Sequence, residues 1–287
     1  MNKNKIIFII SVVIVAALTA GLSLALIDPS APQNAQANGQ PDDAPTLEWF
    51  GWSHFRITTT TGMVILIHPF ITGNPDASVT IDDIQKADLI LVSDGHGDEL
   101  GDTIALAQKT GARVLTGGFE LGSWLIQKGV PAAQVVRGNP GNWHHFGNIT
   151  VRVVNSVHGS GLPAPTIENP YGGPAAGFII TLENGFTLYF AGSTAATMDM
   201  QLWGAAFKPD WAILPINSDR DPLDVAQMVR LLRTENPNLT TVIPHHQRVV
   251  PPAGATTIAQ MEESILSLNQ PVTVLRLTRG QIVQLRK

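Results

Sequence analysis

The sequence predicts an α/β domain in which two β-sheets pack face to face with helices on their outer sides. Three observations carry this: strand-like segments come first in hairpins, further strands then alternate with helical segments, and that alternation runs twice along the chain. The 287 residues provide ample length for a buried core, and 44% hydrophobic against 14% charged residues indicates a globular chain with one unusually apolar part.

That part is the N-terminus. Lys3 and Lys5 precede an uncharged run from Ile6 to Ile27, long enough at about 1.5 Å per residue to cross a hydrocarbon core of roughly 30 Å. The positive flank predicts a cytoplasmic N-terminus and an exported remainder. Residues 1–27 therefore read as a membrane anchor or signal segment. The expectation is one N-terminal anchor in the cell membrane with the domain outside the cytoplasm; the alternative is a secreted or periplasmic product cleaved near Ala35-Gln36-Ala37. Residues 28–45, rich in Pro, Asn, Gln, Ala and Asp, read as a flexible linker, and residues 46–287 as the folded domain.

Leu47 to Thr59 and Met63 to Ile67 are expected as strands joined by a turn at Thr61-Gly62. Leu89 to Val92 reads as a buried strand, Leu100 to Lys109 and Gly118 to Lys128 as helices, and Arg113 to Thr116 as the strand between them. Trp143 to Asn155 is strand with a turn at Phe146-Gly147-Asn148, and Pro163 to Pro174 is a long loop of the kind that borders sites. Ala176 to Leu182 and Phe186 to Phe190 form the next hairpin. Trp211 to Ile216 is a strand, Asp221 to Thr234 a helix, and Thr241 to Ile243 a strand leading into Pro244-His245-His246. The tail adds a helix, Thr256 to Leu268, and the short strands Val272 to Leu277 and Gln281 to Leu285.

The absence of Cys excludes disulfides, thiolate metal sites, Cys nucleophiles and a lipid-modified Cys anchor. A net charge of −5 offers no basic footprint for nucleic acid. Chemistry must rest on His, carboxylates or hydroxyls. These concentrate after Leu89–Val92, where Asp94, His96, Asp98 and Glu99 crowd a strand-to-helix turn in which Gly95 and Gly97 permit sharp bending. The plain alternative is an acidic, glycine-rich surface loop. His68, this cluster, His158, Ser193 and His246 all fall at strand ends, where layered folds assemble sites. His144 and His145 read as surface residues, and Trp49, Trp143, Trp203 and Trp211 as core or interface aromatics. The sequons at Asn148 and Asn238 matter only in a eukaryotic secretory route.

Together, Trp49-Phe50-Gly51-Trp52-Ser53-His54-Phe55, Ile67-His68-Pro69-Phe70-Ile71-Thr72-Gly73-Asn74-Pro75, the turn Asp94-Gly95-His96-Gly97-Asp98-Glu99, Tyr171-Gly172-Gly173-Pro174, Ala191-Gly192-Ser193-Thr194 and Val242-Ile243-Pro244-His245-His246 resemble the metallo-β-lactamase superfamily. The resemblance, covering Leu47 to about Pro252, is to its metal-dependent hydrolase branch similar to ascorbate-6-phosphate lactonases. It implies an αββα four-layer sandwich with a pair of metal ions along one edge between the sheets, activating a water.

The family pattern H-x-H-x-D-H is matched at His96 and Asp98, with carboxylates Asp94 and Glu99 at the outer positions. His158 and His246 stand where the family places later ligands, and Ser193 where it has a bridging Asp. His68 replaces the Asp of an I-D-P-F signature, and Trp52 the His of an L-G-H signature; on a strand, His54 would share a face with Trp52. The resemblance implies Asp94, His96 and His158 around one divalent ion and Asp98, Glu99 and His246 around a second, with Asp98 the catalytic candidate and His54, His68 and Ser193 as auxiliaries. The harder ligand set moves preference from zinc towards manganese, iron or magnesium. The implied reaction is hydrolysis of a small-molecule ester, lactone, amide or phosphoester. The alternative is a catalytically inactive binding or interaction module on the same fold that has lost its dinuclear site. Metal-free catalysis by Ser193 with His158 or His246 lacks a nucleophile-elbow pattern, and a dinucleotide site at Gly95–Gly101 has its third Gly one residue late beside repelling carboxylates.

Overall fold

The computed structural model describes residues 44–163, 167, 171–217 and 220–287. The expected anchor, residues 1–27, and nearly all of the expected linker lie outside them, as does half of the Pro163 to Pro174 loop. Among the described residues no helix is long and apolar enough to cross a membrane. Pro45, assigned above to the linker, already belongs to the domain: its carbonyl accepts from Leu285 N at 2.8 Å.

The first sheet is built from β1 (Thr46–Gly51), β2 (His54–Thr58), β3 (Val64–Ile67), β4 (Leu89–Val92), β5 (Arg113–Thr116) and β6 (Val135–Arg137). The helices α1 (Gly97–Leu100), α2 (Thr103–Thr110) and α3 (Phe119–Gln127) lie between its later strands in sequence. The second sheet contains β7 (Trp143–Phe146), β8 (Ile149–Asn155), β9 (Ala176–Thr181), β10 (Thr187–Phe190), β11 (Trp211–Pro215), β12 (Thr241–His245) and β13 (Thr273–Val274), with α4 (Asp199–Phe207), α5 (Pro222–Arg233) and α6 (Ile258–Ser267). The last strand, β14 (Ile282–Gln284), returns to pair with β1. Strand order is β14-β1-β2-β3-β4-β5-β6 in one sheet and β13-β12-β11-β10-β9-β8-β7 in the other, each mixing parallel and antiparallel pairs.

Period-two side-chain alternation produces the layers. Ile65, Ile67, Leu89 and Leu91 of the first sheet meet Phe178, Phe190, Ile213 and Ile243 of the second in one central core. The intervening residues Leu66, Ile90 and Val92 face outward onto Leu106, Leu121 and Leu125 of α2 and α3. On the far side, Ala212, Leu214 and Val242 pack against Met200, Val229 and Met261 of α4, α5 and α6. Three cores between four layers make the αββα sandwich.

Four expectations change. The strand predicted over Leu47 to Thr59 is two antiparallel strands, because the chain reverses at Gly51–Ser53: Gly51 has φ +112°, and a Cβ there would strike the Asp76 carbonyl. Trp52 and His54 therefore do not share a strand face. The predicted helix from Leu100 breaks at Gly101 into α1 and α2. The helix α4 was not expected at all. Trp143, expected in a core or interface, is 52% exposed and lies against His145 and the Arg152 guanidinium.

Candidate metal centre

The carboxyl ends of β3, β4, β8, β10 and β12 open on one edge of the sandwich, the position at which α/β folds gather functional side chains. At the end of β4, Ser93 N donates to His68 Nε2 at 3.2 Å and Ser93 Oγ to Asp94 Oδ2 at 2.8 Å. Asp94 is fully buried, and its Oδ1 accepts from His96 N and lies 3.1 Å from His96 Nδ1. Extended backbone at His96 then starts α1, whose first turn carries Asp98 and Glu99 in different directions. His158, just past β8, brings Nε2 to 3.2 Å from His96 Nδ1.

Glu99 occupies the middle. Its Oε1 accepts from Ser193 Oγ at 2.7 Å and lies 2.8 Å from His246 Nε2. The same His246 nitrogen is 3.0 Å from Ser193 Oγ and 3.4 Å from Asp98 Oδ2. Asp98 Oδ2 in turn accepts from Trp52 Nε1 at 2.8 Å. Three residues of this edge, Trp52 (φ +56°), His68 (φ +45°) and His246 (φ +58°), have left-handed backbone without being glycine. Such conformations cost roughly 1–3 kcal/mol each and cluster at functional sites.

The charges are mutually perturbed. Burial, reinforced by the charges of Asp94 and Asp98, pushes the Glu99 carboxyl up. Burial pulls His246 down, but the carboxylates of Asp98 and Glu99 outweigh it and raise it. For Asp98 burial is likewise overcome, by hydrogen bonds with His246, Glu99 and Trp52, and the carboxyl sits far below its usual range. His96 is raised by its bond to Asp94, whereas burial lowers His158.

Asp94, His96, Glu99 and His158 each offer a donor atom within 4.8 Å of the others, and Asp98, Glu99 and His246 form a second such group. Those separations suit ligands of one ion at about 2.0–2.3 Å each. Glu99 alone belongs to both groups. Its second oxygen, Oε2, is buried without a hydrogen-bond partner, a costly state for a carboxylate that a cation would relieve. On its donor chemistry and on this orphaned oxygen, the site fits divalent metal.

The β-lactamase superfamily domain family matches residues 64–263. The chain belongs to the β-lactamase superfamily. The match takes in every residue of the two donor groups; Trp52 lies before it. Among relatives of the superfamily, a UPF0173 metal-dependent hydrolase of Koribacter versatilis is 35% identical over 202 residues, 70% of this chain and 83% of that protein. One of Roseiflexus sp. is 32% identical over 243 residues, 83% of this chain and 96% of that protein. Among solved structures, a metallo hydrolase of the archaeon Ignicoccus hospitalis superposes with a TM-score of 0.70 at 25% identity, covering 85% of this chain and 99% of its own.

Several placements depart from sequence reasoning. His54 is completely buried on β2 against the Phe50 ring, and neither ring nitrogen has a partner. His68 is committed to Ser93 N through Nε2. Neither residue belongs to either donor group. Ser193 has no relay behind it: its hydroxyl donates to Glu99, and His246 turns Nδ1 towards His245 rather than a carboxylate, so a serine triad is not assembled. His245 and His246 were expected to face opposite ways on extended backbone. The left-handed turn at His246 instead brings their Nδ1 atoms to 2.8 Å. Sequence reasoning also missed Trp52 as the donor to Asp98 and Ser160, whose Oγ accepts from Gly95 N. The turn-forming Gly51 beside Trp52 was the sequence signal for a reversal there, and nothing in the sequence pointed to Ser160.

Proposed function

We propose that this chain is a metal-dependent hydrolase with a two-ion site. Asp94, His96, His158 and Glu99 would hold one ion, and Asp98, Glu99 and His246 the other. The observation that carries this reading is Glu99, which is common to both donor groups and has a buried, unpartnered oxygen. The names of the relatives, metal-dependent hydrolases, support the same reading. Bound divalent ions would supply a Lewis acid and lower the pKa of water, the chemistry of ester, lactone, amide or phosphoester hydrolysis.

The chain's own residues perform the rest. Ser93 and His96 N fix the Asp94 carboxylate, and Trp52 fixes Asp98. Ser193, where the family has a carboxylate, satisfies Glu99 Oε1 instead, while Oε2 is buried without a hydrogen-bond partner. Glu99 Oε1 and His246 Nε2 share a proton across 2.8 Å; taking up cation requires releasing it, so metal affinity rises with pH. Three carboxylates beside three imidazoles favour manganese or iron over zinc. Asp98, whose carboxyl is held far below its usual range and oriented by Trp52 Nε1, is the catalytic candidate. Export through residues 6–27 is part of the same proposal, supported by the lysine-flanked apolar run.

Metal analysis of the purified chain beside an Asp98→Ala, His158→Ala double variant tests this. Stoichiometric manganese, iron or zinc that disappears in the variant, together with ester hydrolysis, is expected. No bound metal in either protein contradicts the hydrolase and leaves an inactive binding module. For export, alkaline phosphatase fused after residue 45 should be active in intact bacteria.

A further inference from the structure

Behind Trp52 and His246 the site continues into a cavity of about 410 Å³. Its walls include Ile216, Val249, Pro251, Pro252, Ala255 and Ile258. Its arginine and threonine side chains are engaged by partners outside the lining. Arg248 Nε donates to Asp76 at 2.6 Å, and Arg276 is held by both oxygens of Glu262. The Thr256 hydroxyl donates to the Arg220 carbonyl, and Thr257 is engaged with Gln260 in capping α6. Both arginines lining the cavity are thus paired with carboxylates, and its volume lies within the range of small-molecule sites.

We propose that this cavity receives the non-reacting arm of the substrate, and that the arm is uncharged and apolar: the alkyl or aryl group of a neutral ester or lactone. The proposal rests on the hydrolase reading for its chemistry, but the arguments for the ligand class are separate. An anionic arm would find both arginines of the cavity already paired with carboxylates, whereas an apolar arm replaces water against Ile216, Ile258 and the Trp52 ring. Trp52 therefore forms one wall for substrate while its Nε1 holds Asp98.

The test uses the full metal-loaded chain and two sets of probes. In hydrolysis, 4-nitrophenyl hexanoate should exceed 4-nitrophenyl acetate in kcat/KM by about tenfold or more, since even one methylene in an apolar pocket discriminates by about tenfold. The 4-nitrophenyl monoester of adipic acid, equal in length but anionic at its far end, should fall below the hexanoate. Ala255→Trp, which fills the cavity, should cut the hexanoate-to-acetate preference about tenfold, and Ile258→Ala, which enlarges it, should move the preference to longer chains. In calorimetry, uncleaved hexanamide should bind more tightly than adipamate, and Ala255→Trp should weaken hexanamide. A wild-type preference for the anionic arm, or chain-length preferences unchanged in both variants, overturns the proposal. Hexanamide binding that responds to Ala255→Trp in a protein hydrolysing no ester, lactone, amide or phosphoester sinks the hydrolase reading while upholding the cavity's ligand class.

Discussion

Trp52 Nε1 donates to Asp98 Oδ2 at 2.8 Å, and the Trp52 ring lies 5.6 Å from that of His246. The tryptophan that stands in place of the His of the family's L-G-H signature thus orients a neighbouring carboxylate. Trp52→Phe keeps the ring but removes the donor. It is expected to lower metal affinity about tenfold to a hundredfold, as outer hydrogen-bond partners of ligands generally do, with the His96 and His158 side of the site unaffected. Calorimetric titration with manganese measures this; an unchanged affinity would show that the contact has no role.

Gly51 makes the turn that presents Trp52. Gly51→Ala places a methyl group against the Asp76 carbonyl on a backbone at φ +112°, and should cost about 2–4 kcal/mol through clash and strain combined. Gly62→Ala is the control. At φ +78° its Cβ meets nothing within 4 Å, so it should cost about 1 kcal/mol. Urea midpoints of the two variants separate the terms.

Two buried imidazoles predict acid sensitivity. Burial holds both His54 and His68 down to about 3, against an ordinary 6.5 in the unfolded chain; neighbouring His68 and Arg56 add to the effect at His54. Below pH about 6.5 the unfolded chain takes up protons that the folded one refuses, so stability falls as pH drops from there towards about 3. The loss is about 2 kcal/mol per imidazole by about pH 5. His54→Leu removes one of these groups, together with two unpartnered buried nitrogens. It should therefore be more stable than the natural chain at pH 5 by a larger margin than at pH 7. Denaturant unfolding at both values checks it, and equal margins would contradict the assignment.

The layers of this fold were legible because strands buried on both faces alternate between two cores, as Ile65, Leu66 and Ile67 do. The helix α4 was not, since Leu202 is 64% exposed and Gly204 interrupts the apolar periodicity. That glycine is explained only by a contact remote in sequence: a Cβ there would strike the Leu232 carbonyl. At the site, the ligand-type residues could be read from composition and order along the chain. Which oxygen faces which nitrogen could not, because Trp52, His68 and His246 depend on left-handed backbone that no propensity assigns to Trp or His. The same three turns explain why His54 is buried away from the donor groups and why His245 stacks beside His246 instead of facing away.

If Glu99 serves two ions, Glu99→Gln, which keeps size and removes charge, should empty both positions. Metal content by mass spectrometry, compared with Asp94→Asn, distinguishes the roles. Asp94→Asn should lose one equivalent and keep the ion held by Asp98, Glu99 and His246, whereas Glu99→Gln should lose both. In the metal-free protein Glu99→Gln should raise the thermal midpoint at pH 7, since it removes a carboxylate whose ionisation burial penalises. Full metal occupancy in Glu99→Gln would contradict the account.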